Sequence, residues 1–191
     1  MRGRSGDGHA GGVLKVWLWW ERFYLWRHRV RPLGEDSVVQ IEMRRHRGRT
    51  VALLDGTEVR TGDLVAELHL SNLRVASGWA SSTWSPFAVL ESTRTDLTVL
   101  ARSVAAGTLG PVKAVHAVSL VAPALARIGF QVEPLRRSAH SRLLRFYLIG
   151  LIAIYNPAGW RAADRARTRA WPAEAWMSTA TLTTSLGSRA R

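Results

Sequence analysis

The sequence predicts an α+β domain: a small, mostly antiparallel sheet packed with an N-terminal aromatic helix, a central helix and a C-terminal helical layer. Three observations predict it. Apolar residues recur at helical spacing over 14–30, change to a period of two over 37–71, and return to helical spacing after 85. The pairs Asp55-Gly56 and Gly62-Asp63 punctuate the period-two stretch as turns do. The 191 residues are 47% hydrophobic and 21% charged, which suits one packed domain over 14–187, with a loose tail at 1–13 and a frayed end at 188–191.

In LKVWLWWERFYLWRHRV, 14–30, helical spacing joins Val16, Trp19, Trp20, Phe23, Trp26 and Val30, while Lys15, Arg22 and Arg29 form a basic stripe. The aromatic stripe is expected in the core and Trp17, off the stripe, at an interface. Pro32 and Gly34 should stop the helix. Val39, Ile41 and Met43 alternate with Gln40 and Glu42, RRHRGR at 44–49 reads as a turn, and TVALL resumes a strand. TEVR is a short edge segment. In LVAELHLS, Leu64, Ala66, Leu68 and Leu70 face one way, and Val65, Glu67, His69 and Ser71 the other. Three or four strands are expected here.

Ser85-Pro86 has the form of a helix start, followed by a stripe of Phe87, Leu90, Leu97, Leu100, Ala101 and Val104 with Arg94 inside it. VKAVHAVSLV at 112–121 reads as a strand, APALARIGF as a helix closed by Gly129, and QVEPL as a returning strand; one helix over 112–129 is the alternative. Leu143, Leu144, Tyr147, Leu148, Leu151, Ile152 and Tyr155 form a 3.6-period stripe that Asn156-Pro157 breaks. Arg161, Arg165 and Arg169 line a further helix, Trp171-Pro172 marks a turn, and a short helix or extended tail follows from Ala173.

The formal charge is +13, nearly all from arginine, since Lys15 and Lys113 are the two lysines. Such a surface attracts phosphates, anionic lipids or acidic partners. Part of it is also what an Arg-rich, Lys-poor composition produces with no binding role. The candidate anion or membrane surface comprises Arg27, Arg29, Arg31, Arg44, Arg45 and Arg47. The basic stretches are spread over several elements with no recognition helix or aromatic RNA-binding motif, so nucleic acid is the weaker partner. The absence of cysteine removes disulfides, thiolate metal sites and a cysteine nucleophile. The Gly-rich, polar N-terminus does not read as a secretory signal. FYLIGLIAIY at 146–155 is half of the roughly 20 apolar residues a membrane span needs.

The candidate site is the strand carrying Glu67 and His69. Same-face neighbours on a strand lie about 7 Å apart, so the two can reach one ligand as an acid/base pair. Asp63, Asn72 and Arg94 are the candidate binding residues around them, with Arg94 as anion holder. The plainer reading pairs Glu67 with an arginine, Arg94 for choice, and leaves His69 on the sheet's polar face. No HExxH or HxH spacing supplies a metal site, and no GxSxG or Gly-rich phosphate cradle is present, so no cofactor is expected.

The segments WERFYLWRHRVRPLG, LLDGTEVRTGDLVAELHLSN, LARIGFQV, YNPAGW and WMSTATL together resemble the bacterial YkoP-like family over about residues 16–187. GDLVAELHLSN is the most specific of them. The family has no established activity; its members occur alone or joined to polysaccharide deacetylase modules, with glycosyltransferases sometimes encoded nearby. The resemblance therefore implies a role in envelope polysaccharide metabolism. This chain has no room for the deacetylase barrel, and its ending, WMSTATLTTSLG, departs from the charged ending expected of the family. The resulting expectation is an accessory or interaction protein, cytoplasmic and resting on the inner face of the membrane. The alternatives are a small transferase or hydrolase using Glu67 and His69, and a nucleic-acid-binding protein.

Overall fold

The structure is a computed structural model that describes residues 19, 23, 26–80, 85–156 and 158–187. Among them are eight strands: β1 (Arg31–Pro32), β2 (Val39–Arg45), β3 (Val51–Ala52), β4 (Glu58–Val59), β5 (Leu64–Leu70), β6 (Val112–Ser119), β7 (Gln131–Pro134) and β8 (Ala173–Ser178). The helices are α1 (Asn72–Ala80), α2 (Pro86–Ala105), α3 (Ala122–Leu125), continued by a 3-10 turn over Ala126–Ile128, α4 (Ala139–Tyr155), α5 (Gly159–Arg169) and α6 (Thr179–Gly187). The fold is α+β.

Six strands form one sheet in the order β1-β2-β5-β6-β8-β7, and β3 and β4 pair separately. Residues 37–71 thus carry four strands, within the expected number, but only β2 and β5 join the main sheet. β5 and β6 run parallel and the other neighbours antiparallel. A parallel neighbour requires a long crossover, and α1 and α2 supply it.

Strand alternation divides the sheet into two unlike faces. Ile41, Leu68, Val115, Ala117, Ala175 and Met177 meet Leu97, Leu100 and Ala101 of α2 and Leu182 and Leu186 of α6 in the main core. On the opposite face the β3–β4 hairpin brings Leu53 and Val59 against Val65, Ala114 and Trp176. A third cluster, Leu120, Ile149 and Ala163, seats α4 and α5. Fully buried Leu97 and Leu100 each contribute about 2 kcal/mol by removal from water.

α2 begins as expected: Ser85 Oγ accepts the Ala88 N–H at 3.1 Å, and Pro86 opens the helix. Phe87 is exposed, against expectation. The 20-residue helix spans about 30 Å, while the seven-residue strands beneath it span about 23 Å. The helix is longer than the strands it covers, and Phe87 stands in its first turn. The helix is also tied to β2: Asp96 Oδ2 accepts the backbone N–H groups of Val38 and Val39, each at 2.8 Å.

Residues 112–134 follow the strand, helix, strand reading, with Gly129 at φ 98° closing the 3-10 turn; a single helix over 112–129 is excluded. β8 lies between β6 and β7. This strand corrects the expectation of a short helix or extended tail from Ala173. AEAWMS has two alanines, weak strand formers alone, but Ala173, Ala175 and Met177 fit the tightly packed core side.

The aromatic N-terminal stripe is corrected too. Trp19, Phe23 and Trp26 hold helical positions, yet all three are exposed, Trp26 at 75%. Phe23 lies 6.0 Å from each of the two tryptophan rings, so the aromatics pack on one another. Helical spacing gives a shared face but not what that face meets. Val16, Trp17 and Trp20 lie outside the described residues. The helical positions end at Arg27, and Arg29, at φ 51°, turns the chain into β1 before Pro32 is reached. In α4, Leu143 of the expected stripe is exposed, and the buried residues are Ser141 and Ile149. Among the described residues no helix is long and apolar enough to cross a membrane.

Candidate functional site

The sheet register assembles a row of polar and aromatic side chains on the face opposite α2. Glu42 stands opposite Glu67, Glu67 opposite His116, and His116 opposite Trp176, across β2, β5, β6 and β8. Gln40 is opposite His69, and Arg44 opposite Val65. Two carboxylates directly across a strand pair repel unless each is compensated, and here each has partners. Glu67 Oε2 forms an ion pair with the Arg44 guanidinium. Glu42 Oε1 lies 3.1 Å from His28 Nδ1, and Glu42 Oε2 3.3 Å from His69 Nε2. His28 comes just after Trp26 and Arg27, so the chain immediately before β1 reaches this edge of the sheet.

His116 is the most enclosed histidine of the row, 8% exposed. Its ring stacks on Trp176 with centroids 3.9 Å apart, and His46 meets the same indole edge-on at 5.5 Å. Its Nε2 is buried without a hydrogen-bond partner among the described residues. Burial, helped by the charges of Arg44, His46 and His69, lowers its pKa to about 3. Glu67 lies 4.0 Å from its Nδ1, an arrangement that by itself favours the imidazolium. That distance is too long for a hydrogen bond, and Glu67 already has Arg44. His116 is therefore neutral at physiological pH.

The predicted residues are only partly brought together. Glu67 and His69 share the row, as strand alternation required, but they have different partners. The expected Glu67–Arg94 pair is corrected: Arg44 of the adjacent strand takes Glu67, while Arg94 belongs to α2 on the other side of the sheet. A residue's place on a helix stripe cannot say which sheet face that helix will cover. Asp63 serves the turn before β5, where its Oδ2 accepts the Arg60 N–H at 2.7 Å and its backbone oxygen the His46 N–H at 2.8 Å. Asn72 opens α1, just beyond β5. Of the proposed anion surface, Arg27, Arg29, Arg31 and Arg47 are exposed. Arg45 donates to the Gly62 carbonyl at 2.8 Å, and Arg44 is engaged with Glu67.

Sequence reasoning missed Glu42, His28 and His116 as members of the row. The alternation Gln40, Glu42, Arg44 was the available signal for Glu42, but the register that sets it against Glu67 is a long-range property. Among the described residues no group of three or more His, Asp or Glu side chains has an arrangement suited to a metal ion. The row presents charged and polar side chains held by one another. Glu42 Oε2 and the His69 imidazole lie side by side at ion-pair distance, the pairing of groups that acid–base chemistry uses.

No curated protein and no solved structure is detectably similar to the chain. The model of the YkoP domain matches residues 10–186, a span that includes the whole sheet, the row from His28 to Trp176 and most of α6, and on that match the chain belongs to the YkoP domain family.

Proposed function

We propose that the protein is an accessory, ligand-binding component of bacterial envelope polysaccharide metabolism, working on the cytoplasmic side at the inner face of the membrane, with the row on the sheet's second face as its saccharide site. The observation that carries this reading is the pairing pattern. Arg44, Glu67, Glu42, His28 and His69 are already matched to one another, which fixes donors and acceptors in place for hydroxyl-rich partners. The occurrence of family members joined to polysaccharide deacetylase modules supports a glycan, and the +13 charge supports an anionic surface as the setting. Calorimetric titration with tetra-N-acetylchitotetraose tests it. Saturable binding, weakened at least tenfold by Glu42→Gln, is expected; no heat at millimolar ligand, or equal binding by the variant, overturns it.

One observation favours a second reading, acid–base catalysis as a small transferase or hydrolase. Glu42 lies 3.3 Å from His69 Nε2, which supports Glu42 rather than Glu67 as the carboxylate of such a dyad. Prolonged incubation with the same oligosaccharide separates the two: shortened or deacetylated product, lost in His69→Asn, would establish catalysis.

A further inference from the structure

The strongest concentration of charge lies away from the row, on the α4–α5 hairpin. Residues 136–169 contain eight arginines against a single acid, Asp164. The outward side of this hairpin is also apolar. Leu143, Phe146 and Ile154 recur three and eight residues apart on α4, which keeps them on one helix face, and all three are exposed, Phe146 at 73%. Trp160, at the start of α5, is exposed beside them in the chain order of the hairpin. A cleft of about 340 Å³ between the two helices is lined by Arg142, Arg145, Phe146, Ile149 and Arg167.

The arginines of this cleft have different roles. Arg145 is structural: its Nε donates to the Ala170 carbonyl at 3.0 Å, a second nitrogen donates to the Arg167 carbonyl, and its guanidinium lies 5.3 Å over the Trp171 ring. Those carbonyls are at the C-terminal end of α5, where a cation is favoured by the helix dipole. Arg142 and Arg167 are exposed and take part in no ion pair among the described residues.

We propose that the α4–α5 hairpin is the face on which the protein lies against an anionic phospholipid bilayer, with Arg142 and Arg167 on the lipid phosphates and Phe146, Leu143 and Trp160 inserted at the headgroup level. Free guanidiniums match the anionic headgroups, and exposed aromatic and aliphatic side chains between them match the acyl boundary. A nucleic acid would use the charges but leave Leu143 and Phe146 in water. No described helix is long and apolar enough to cross the bilayer, which suits contact of this hairpin at its surface. This rests on the proposed setting at the membrane face and puts the contact on this hairpin in place of the surface of Arg27, Arg29, Arg31, Arg44, Arg45 and Arg47.

Vesicle flotation of the full chain tests it, with phosphatidylcholine alone or mixed with phosphatidylglycerol, at roughly 50 and 300 mM salt. The wild type should float with the anionic vesicles and not the neutral ones. R142Q/R167Q should lower the apparent affinity by on the order of tenfold or more, and F146S/W160S should bind at low salt but release at high salt. Unchanged melting curves would confine both effects to the surface. Flotation of both variants like the wild type, or loss confined to W19S/W26S, overturns this surface while leaving the membrane setting intact. A wild type that never floats overturns both, and one retained instead on duplex DNA, with F146S/W160S unaffected, reassigns the patch to nucleic acid.

Discussion

Replacing His116 by leucine should flatten the acid limb of the stability curve. In the folded chain His116 is neutral down to about pH 3, against an ordinary value of 6.5, mainly because it is buried. The unfolded chain therefore binds this proton first as pH falls. Stability linked to His116 is fully present above pH 6.5, declines between 6.5 and about 3, and is level again below that. Each pH unit inside the window costs ~1.4 kcal/mol, so at pH 5 the wild type should have lost about 2 kcal/mol through this residue relative to pH 7.5. Leucine keeps an apolar partner against Trp176, removes the unpartnered Nε2 and cannot titrate. Urea unfolding followed by tryptophan fluorescence at the two pH values measures the effect. With an m-value of ~2 kcal/mol/M, the midpoint of the variant should fall about 1 M less than that of the wild type. Parallel losses in the two proteins would refute a neutral, buried His116.

Other substitutions test the remaining supports. Arg44→Ala leaves Glu67, whose side chain is 13% exposed, facing Glu42 without its cation, and should cost about 1–2 kcal/mol; adding Glu67→Gln should recover at least half, in a double-mutant cycle by urea unfolding. Asp96→Ala strips the acceptor from the Val38 and Val39 N–H groups and should cost about 2 kcal/mol, read as a lower melting temperature that Asp96→Asn partly restores. Asp55 accepts from the Ser178 and Thr181 hydroxyls, chiefly the first of which holds its carboxyl down at about pH 2. Its depressed pKa means the tie is fully present above the ordinary value of 3.8 and is lost as pH falls through about 2. Asp55→Ala should therefore speed hydrogen exchange of the β3–β4 hairpin amides at neutral pH, and the wild type should match it only in strong acid.

Local signals identified more of the fold than of the site. Ser85-Pro86, Asp55-Gly56, Gly129 and the alternation of LVAELHLS each act through neighbouring backbone or side-chain geometry, and each marks the element it should. The misses depend on what lies across space. Trp19, Phe23 and Trp26 have the spacing of a core stripe and are exposed, because periodicity cannot name the surface a stripe meets. AEAWMS becomes an interior strand because β6 and β7 offer it partners on both sides, overriding the weak propensity of alanine. In the candidate site, alternation put Glu67 and His69 on one face. Glu42 and His116 joined them only through the register of β2 and β6, and Arg94 was separated from them by the side on which α2 packs.

Whether the Glu42–Glu67–His116 row and the histidines beside it receive a saccharide can be read from the histidine ring resonances by NMR during titration with tetra-N-acetylchitotetraose. Saturable shifts of the His69 and His28 rings are expected, with His140 on α4 unmoved and the response abolished by Glu42→Gln. Rings of the row that stay unmoved at millimolar ligand, or shifts that persist in Glu42→Gln, would contradict saccharide binding at the row.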